Sequence, residues 1–223
     1  MTATQWALLS ITLLAGAATP GASLALVIST ATKYGRLPGL VQSLTHGIGI
    51  GFYALLVSTG ISSLLFASTY AFQVLQFTGC MLLLYLGGKM FVGGWRSRHK
   101  QTMDIPLDNT TATATAKPSL LSHASKGFLI VFFNPKVALF FFAVFSQFLN
   151  PEQSLMLQWS MASLAGVLDA LWYSSMAILV SVPRVSKAFN QFDWQLEILW
   201  GSVLVSIAAG LLLSLFTGLA ASF

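Results

Sequence analysis

The sequence predicts an all-α integral membrane protein with six transmembrane helices, arranged as two three-helix halves of opposite orientation. Composition is the first reason, since 56% of the 223 residues are hydrophobic and only 8% are charged, whereas about 25% of residues are charged in a soluble domain. The second reason is that the apolar residues form six runs, each long enough to cross a bilayer as a helix of about 20 residues. The third is a proline-containing break in the first and fourth runs.

Six predicted spans follow one another along the chain and divide it into three parts. They cover residues 5–30, 38–66, a run that ends near 92, 126–149, 154–181 and 196–219. The first three form one half, residues 1–93, and the last three form the other, residues 126–223. Residues 94–125 are hydrophilic, include a Thr- and Ala-rich stretch without hydrophobic periodicity, and are predicted to be a flexible cytoplasmic linker. Residues 182–193, between the last two spans, are predicted to be a loop.

Basic residues alternate between successive loops, and this alternation predicts the orientation. Lys or Arg occurs in the first, third and fifth loops, for example at Lys33, Arg96 and Arg184, and is absent from the second and fourth. Because cytoplasmic loops carry the basic excess, both termini are predicted to lie outside an inner membrane. The net charge of +5 therefore indicates membrane topology and not nucleic-acid binding. Residues 1–10 contain no Lys or Arg, so the first span is expected to be permanent and not a signal peptide.

Cys80 is the single cysteine of the sequence. An intramolecular disulfide, a dithiol redox couple and a multi-cysteine metal site are therefore excluded. Two of the three histidines, His99 and His123, lie in or beside the linker, which leaves metal chemistry poorly supplied. The sequence predicts neither a metal nor another cofactor, and it leaves the oligomeric state open, with a homodimer as one compatible arrangement.

Thr19-Pro20-Gly21 in the first span and Asn134-Pro135-Lys136 in the fourth are similar interruptions. In each, a polar residue precedes a proline, which removes a helical hydrogen bond, near the middle of the first span of its half. A three-span unit repeated in tandem must insert the second time with opposite orientation, and inverted repeats with broken helices are typical of transporters. The alternative is two unrelated prolines, since proline is fairly common in membrane helices.

The two breaks predict a site for an anionic group at the centre of the membrane. After each break a new half-helix begins, and its free backbone N–H groups and positive dipole end point at the midplane. Two such ends facing each other suit a carboxylate. Lys136 lies about 15 Å into its span at 1.5 Å per residue, so it adds a positive charge to the same site.

Asp169 in the fifth span is a second charge within the membrane. An acid at this depth indicates function, and Asp169 could bind an ammonium group or carry a coupling proton. The alternative is a structural ion pair with Lys136. His46 in the second span is either a packed polar residue or a further proton-coupling group. The glycines that follow it at positions 47, 49 and 51 are expected to allow close backbone approach.

Four motifs together are similar to those of one known family. They are Thr19-Pro20-Gly21-Ala22-Ser23, the basic loop before the glycine-rich second span, Lys126-Gly127-Phe128 leading to Asn134-Pro135-Lys136, and Asp169-Ala170-Leu171-Trp172-Tyr173. The chain resembles, over essentially its whole length, the LysE/RhtB family of small amino-acid exporters, in which the first motif often has proline where this chain has Ala22. The resemblance implies efflux of amino acids or close derivatives from the cytoplasm, driven by the proton gradient.

The hypothesis from these observations is a secondary exporter of an amino acid or another zwitterionic small molecule, and not an enzyme. The residues predicted to form its site are Thr19, Pro20, Gly21, Ser23, Asn134, Pro135, Lys136 and Asp169, with His46 as a further proton-coupling candidate. One alternative is a small-cation transporter of similar architecture, since helix breaks and one acid also serve ions. The other is a membrane-embedded enzyme, against which stands the absence of an HExxH or GxSxG motif.

Overall fold

The computed structural model describes residues 1–19, 21–67, 69–98, 118–149, 153–181 and 183–217. Within these residues the chain forms eight α-helices. They are α1 (Ala3–Ala18), α2 (Ala22–Tyr34), α3 (Arg36–Ala67), α4 (Thr69–Ser97), α5 (Leu120–Phe133), α6 (Pro135–Phe148), α7 (Leu155–Val180) and α8 (Pro183–Thr217). Strands are absent from the described residues, so the predicted all-helical fold is confirmed.

The chain bends sharply at both predicted breaks. The axes of α1 and α2 differ by 62°, and those of α5 and α6 differ by 61°. The helices α3, α4, α7 and α8 each contain an apolar stretch long enough to cross a membrane, so the fold has four candidate spans, or up to six if each bent pair counts as one. The arrangement of these spans as an inverted repeat stays a prediction.

The prediction of a loop over residues 182–193 is wrong for residues 183–193, which form the first three turns of α8. Pro183 occupies the first helical position, where its missing N–H and fixed backbone angle favour a helix start. The polar residues that follow are compatible with a helix that continues beyond the membrane, and the apolar stretch of α8 covers only Trp194–Leu213. α4 ends at Ser97 and α5 begins at Leu120, while residues 99–117 of the predicted linker lie outside the described residues.

Glycines place α3 and α7 in direct backbone contact. A Cβ atom added at Gly47 would lie 2.6 Å from the carbonyl oxygen of Gly166, and one added at Gly166 would lie 3.2 Å from Cα of Gly51. Gly49, on another side of α3, lies against the backbone of Phe128 in α5 in the same way. The expected close approach at these glycines is confirmed, and it fixes α3 between α7 and α5.

The broken pairs are held between the long helices. α3 packs mainly on α7 and α5, α4 packs mainly on α8 and α6, and α1 contacts α6, α7 and α8. The largest apolar core lies where α6 meets these elements, with Phe141, Val144 and Phe145 buried in it. The broken pairs therefore pack against the long helices, which suits irregular backbone in a lipid environment.

Gly166→Ala is expected to lower the free energy of unfolding by about 1–3 kcal/mol. The added methyl would lie 2.7 Å from the carbonyl oxygen of Gly47 and would force α3 and α7 apart. Gly60→Ala is the matched control, because an added Cβ there has no atom within 4 Å, and it should leave stability unchanged or raise it by up to about 1 kcal/mol. Denaturant titration in detergent measures both, and equal stabilities would contradict close packing at Gly166.

Candidate functional site

The first break ends α1 at Thr19, whose backbone is extended with φ −66° and ψ 125°. The Thr19 hydroxyl donates a hydrogen bond to the carbonyl oxygen of Ala15 at 2.8 Å and contacts Sδ of Met90 in α4 at 3.3 Å. Gly21 then precedes α2 in an extended conformation. Pro20, predicted as a site residue, lies outside the described residues. The first N–H groups of α2 therefore begin at Gly21 and Ala22.

The second break is built around Asn134, which ends α5 and begins α6. Its backbone is extended, with φ −95° and ψ 104°, and its side-chain oxygen accepts a hydrogen bond from the backbone N–H of Lys136 at 3.0 Å. Pro135 occupies the first position of α6, where its missing N–H leaves no helical hydrogen bond unmade. The motif therefore ends one helix and caps the first N–H group of the next.

Side chains from the second break reach directly across to the first. The Asn134 amide donates to the Ser23 hydroxyl at 3.1 Å, and the Lys136 ammonium donates to the Thr19 carbonyl oxygen at 3.3 Å. A Cβ added at Gly21 would lie 3.3 Å from Lys136 Nζ. The N-termini of α2 and α6 and the lysine charge thus meet at one place, and together they favour a negatively charged group.

His46 and Asp169 form a buried pair beside the breaks. His46 Nδ1 lies 2.7 Å from Asp169 Oδ2, and the two residues are 1% and 5% exposed. Asp169 follows Gly166 by three positions on the face of α7 that contacts α3, which brings it opposite His46. The carboxylate of Asp169 is therefore paired with His46, and the ion pair between Asp169 and Lys136 stays an alternative.

Tyr173 also contacts this pair, although it was not among the predicted site residues. Its ring stacks on the His46 ring, with centroids 4.5 Å apart and planes 13° apart. Its position is one helical turn after Asp169, so a search of the α7 face that carries Asp169 would have found it. The stacking fixes the orientation of the histidine and therefore the geometry of the carboxylate contact.

All of these groups line one cavity of about 50 Å³. Its polar lining consists of Thr19, Ser23, His46, Asn134, Lys136, Asp169 and Tyr173, together with Gly21. Its apolar wall includes Leu13, Ile50, Val137, Phe140 and Phe141. Gly16 also lines it, and an added Cβ there would overlap the Phe140 ring. Pro135 is the first residue of α6; it is exposed and lies outside the cavity lining.

The composition of the cavity decides what it can bind. Over the described part of the chain, no three His, Cys, Asp or Glu side chains come together as a metal site. The cavity instead offers one lysine and two helix N-termini at one place and a carboxylate–imidazole pair at another. This separation of charge suits a small zwitterion, with its anionic end at Lys136.

Over the described residues, the four candidate spans and the two bent pairs are those of a polytopic membrane protein, and a polar cavity lies between them. Residues 14–215 match the LysE type translocator family, and the chain belongs to that family. This membership confirms the resemblance drawn from the four sequence motifs.

Relatives of the chain include proteins named for efflux. It is 25% identical to the homoserine/homoserine lactone efflux protein of Salmonella typhimurium over 84% of its own length and 89% of the relative. It is 20% identical to the threonine efflux protein of Escherichia coli K12, over 87% and 91% of the two chains. It is also 23% identical to an uncharacterised membrane protein of Bacillus subtilis, over 83% and 88%. No solved structure matches the chain.

Asn134→Ala is expected to lower the free energy of unfolding by about 1–2 kcal/mol, because it removes both the cap of α6 and the bond to Ser23. Ser154→Ala is a matched control, since Ser154 caps α7 through a bond from the Leu157 N–H and its loss should cost about 1 kcal/mol. A double-mutant cycle of Asn134→Ala with Ser23→Ala should give a coupling energy of about 0.5–1.5 kcal/mol. Additive effects would show that the bond between the breaks contributes nothing.

Proposed function

We propose that the protein is a secondary transporter that exports amino acids or close derivatives from the cytoplasm across the inner membrane, coupled to the proton gradient. The observation that carries the proposal is the meeting of Lys136 with the N-termini of α2 and α6 in a cavity that also holds the His46–Asp169 pair. The names of two relatives support the substrate class, since homoserine and threonine are both small neutral amino acids.

The substrate carboxylate is proposed to bind where the two breaks meet. Backbone N–H groups at the start of α2 supply hydrogen-bond donors, the N-terminus of α6 contributes its positive dipole end, and Lys136 supplies a full charge. The ammonium of Lys136 donates to the Thr19 carbonyl, and an incoming carboxylate would accept from the same ammonium. Thr19, Ser23 and Asn134 provide further hydrogen bonds from both breaks.

Asp169 is proposed to couple transport to protons together with His46. In the pair, the carboxylate and the imidazole share a short hydrogen bond, and both are buried, so a proton gained or lost there changes the charge facing the cavity. Neutralising the pair would weaken its attraction for the substrate ammonium group. Proton binding and substrate binding at one site then compete, which is the physical basis of exchange across a membrane.

Alternating access is proposed to come from movement of the two three-span halves against each other. The contacts that join the breaks, Asn134 to Ser23 and Lys136 to Thr19, also join these halves. With the basic loops in the cytoplasm and both termini outside, outward movement of the substrate is accompanied by inward movement of a proton. A bare cation fits this site less well, because Lys136 and two positive helix ends would repel it.

Lys136→Gln is expected to reduce amino-acid flux by about tenfold or more, since it removes the charge that binds the carboxylate. Purified protein in liposomes with an acidic lumen is supplied with labelled homoserine or threonine, and uptake is followed. Lys33→Gln is the control, because Lys33 is an exposed lysine of α2 outside the cavity lining. Equal flux in wild type and Lys136→Gln would contradict the carboxylate site, and wild-type movement of alkali cations without amino acids would favour the cation transporter.

Asp169→Asn is expected to abolish the response to the pH gradient, because the amide can still accept a hydrogen bond from His46 but cannot change its charge. Exchange of labelled for unlabelled amino acid at equal pH on both sides should persist at saturating substrate, since that reaction needs no net proton transfer, although the lost charge should weaken substrate binding. Loss of exchange as well would assign Asp169 to binding of the substrate amine. Unchanged gradient-driven uptake would remove Asp169 from the coupling mechanism.

A further inference from the structure

A row of buried polar side chains leads away from the cavity. Gln42, His46 and His123 are 0%, 1% and 2% exposed. Five of their side-chain atoms have no hydrogen-bond partner among the described residues: both polar atoms of the Gln42 amide, Nε2 of His46 and both ring nitrogens of His123. His123 and Gln42 take no part in the cavity lining.

The helix register places these residues in order. Gln42 precedes His46 by one turn, about 6 Å along the same face of α3. Gly127 of α5 lies against Gln42, since a Cβ added there would be 3.0 Å from Gln42 Cγ. His123 precedes Gly127 by one turn on that buried face of α5, and its ring lies 5.0 Å from the ring of Tyr34, the last residue of α2. The row therefore runs from the end where α2 stops and α3 and α5 begin to the His46–Asp169 pair.

Close packing alone does not account for such a row. A buried polar group without a partner loses its hydration without compensation, and only a few per hundred residues occur in native proteins. Buried polar groups of this kind are commonly bridged by internal water, which makes two to four hydrogen bonds. An amide between two imidazoles supplies both donors and acceptors for such water molecules.

We infer that Gln42 and His123 hold a water-mediated proton path between the His46–Asp169 pair and the aqueous phase at the start of α3 and α5. The inference rests on the proposed proton coupling. A proton leaving the pair binds a water molecule held by Gln42, that water gives up another proton to a ring nitrogen of His123, and His123 releases one from its other nitrogen to bulk water. One proton moves, and only O–H and N–H bonds form and break.

Charged and aromatic groups lie near both ends of the row. Tyr34 contributes its ring from α2, and Lys126 lies about one helical turn after His123 on α5. At the other end, the carboxylate of Asp169 and the ring of Tyr173 face His46. The amide of Gln42 does not titrate, so its part is to position water between the two histidines.

Two variants test the path from its two ends. Gln42→Met keeps the length of the side chain without its hydrogen-bonding atoms, and His123→Phe keeps the ring contact with Tyr34 without the nitrogens. Ser43→Ala is the control, because Ser43 is the buried neighbour of Gln42 on α3 and its hydroxyl already donates to the Gly39 carbonyl. Each protein is placed in liposomes that contain a pH-sensitive dye, and labelled threonine or homoserine is supplied.

Both variants are expected to exchange amino acids at equal pH within about twofold of wild type, whereas substrate-driven proton movement falls by about tenfold or more. Ser43→Ala should match wild type in both measurements. Wild-type proton movement in both variants would overturn the path, and so would an equal loss of exchange and proton movement, which indicates a structural or substrate-binding role. If the proposed function itself is wrong, wild-type protein will exchange no amino acid, and the proton path is then overturned as well. This result differs from failure of the path alone, in which wild-type protein does exchange amino acids.

Discussion

The structure depends on one constraint: backbone N–H and C=O groups within a bilayer must find partners inside the protein. Each helix break frees such groups, and the two breaks supply partners to each other. Lys136 from the second break donates to the Thr19 carbonyl at the first, and Asn134 caps its own helix while it donates to Ser23. The polar site is therefore also the place where the two broken pairs are joined.

The glycine contact between α3 and α7 determines which side chain pairs with Asp169. Larger residues at Gly47 and Gly166 would hold the two helices at the usual separation of about 8–10 Å, with side chains between them. Backbone contact instead brings His46 onto Asp169 and Tyr173. A buried carboxylate without a partner is very costly. The glycines therefore stabilise Asp169 by bringing His46 within hydrogen-bonding distance.

Much of the fold and part of the site could be predicted from the sequence. Proline and lysine within apolar runs are conspicuous, so the breaks and the position of Lys136 were found. The pairing of Asp169 with His46 was not predicted, because it depends on how α3 and α7 are rotated about their axes. That rotation is hard to read from membrane helices that are apolar on nearly every face. The helix over residues 183–193 was predicted to be a loop, because polar composition does not distinguish a loop from a helix that continues beyond the membrane.

The contact between Gly16 and Phe140 has a consequence for how the cavity can vary. The Phe140 ring occupies the volume that a side chain at position 16 would need. A larger residue at position 16 would therefore require a smaller one at position 140, and shortening Phe140 alone would release space directly beside the polar groups. Paired substitutions at these two positions would therefore change the size of the molecule that the cavity accommodates without changing any charged group.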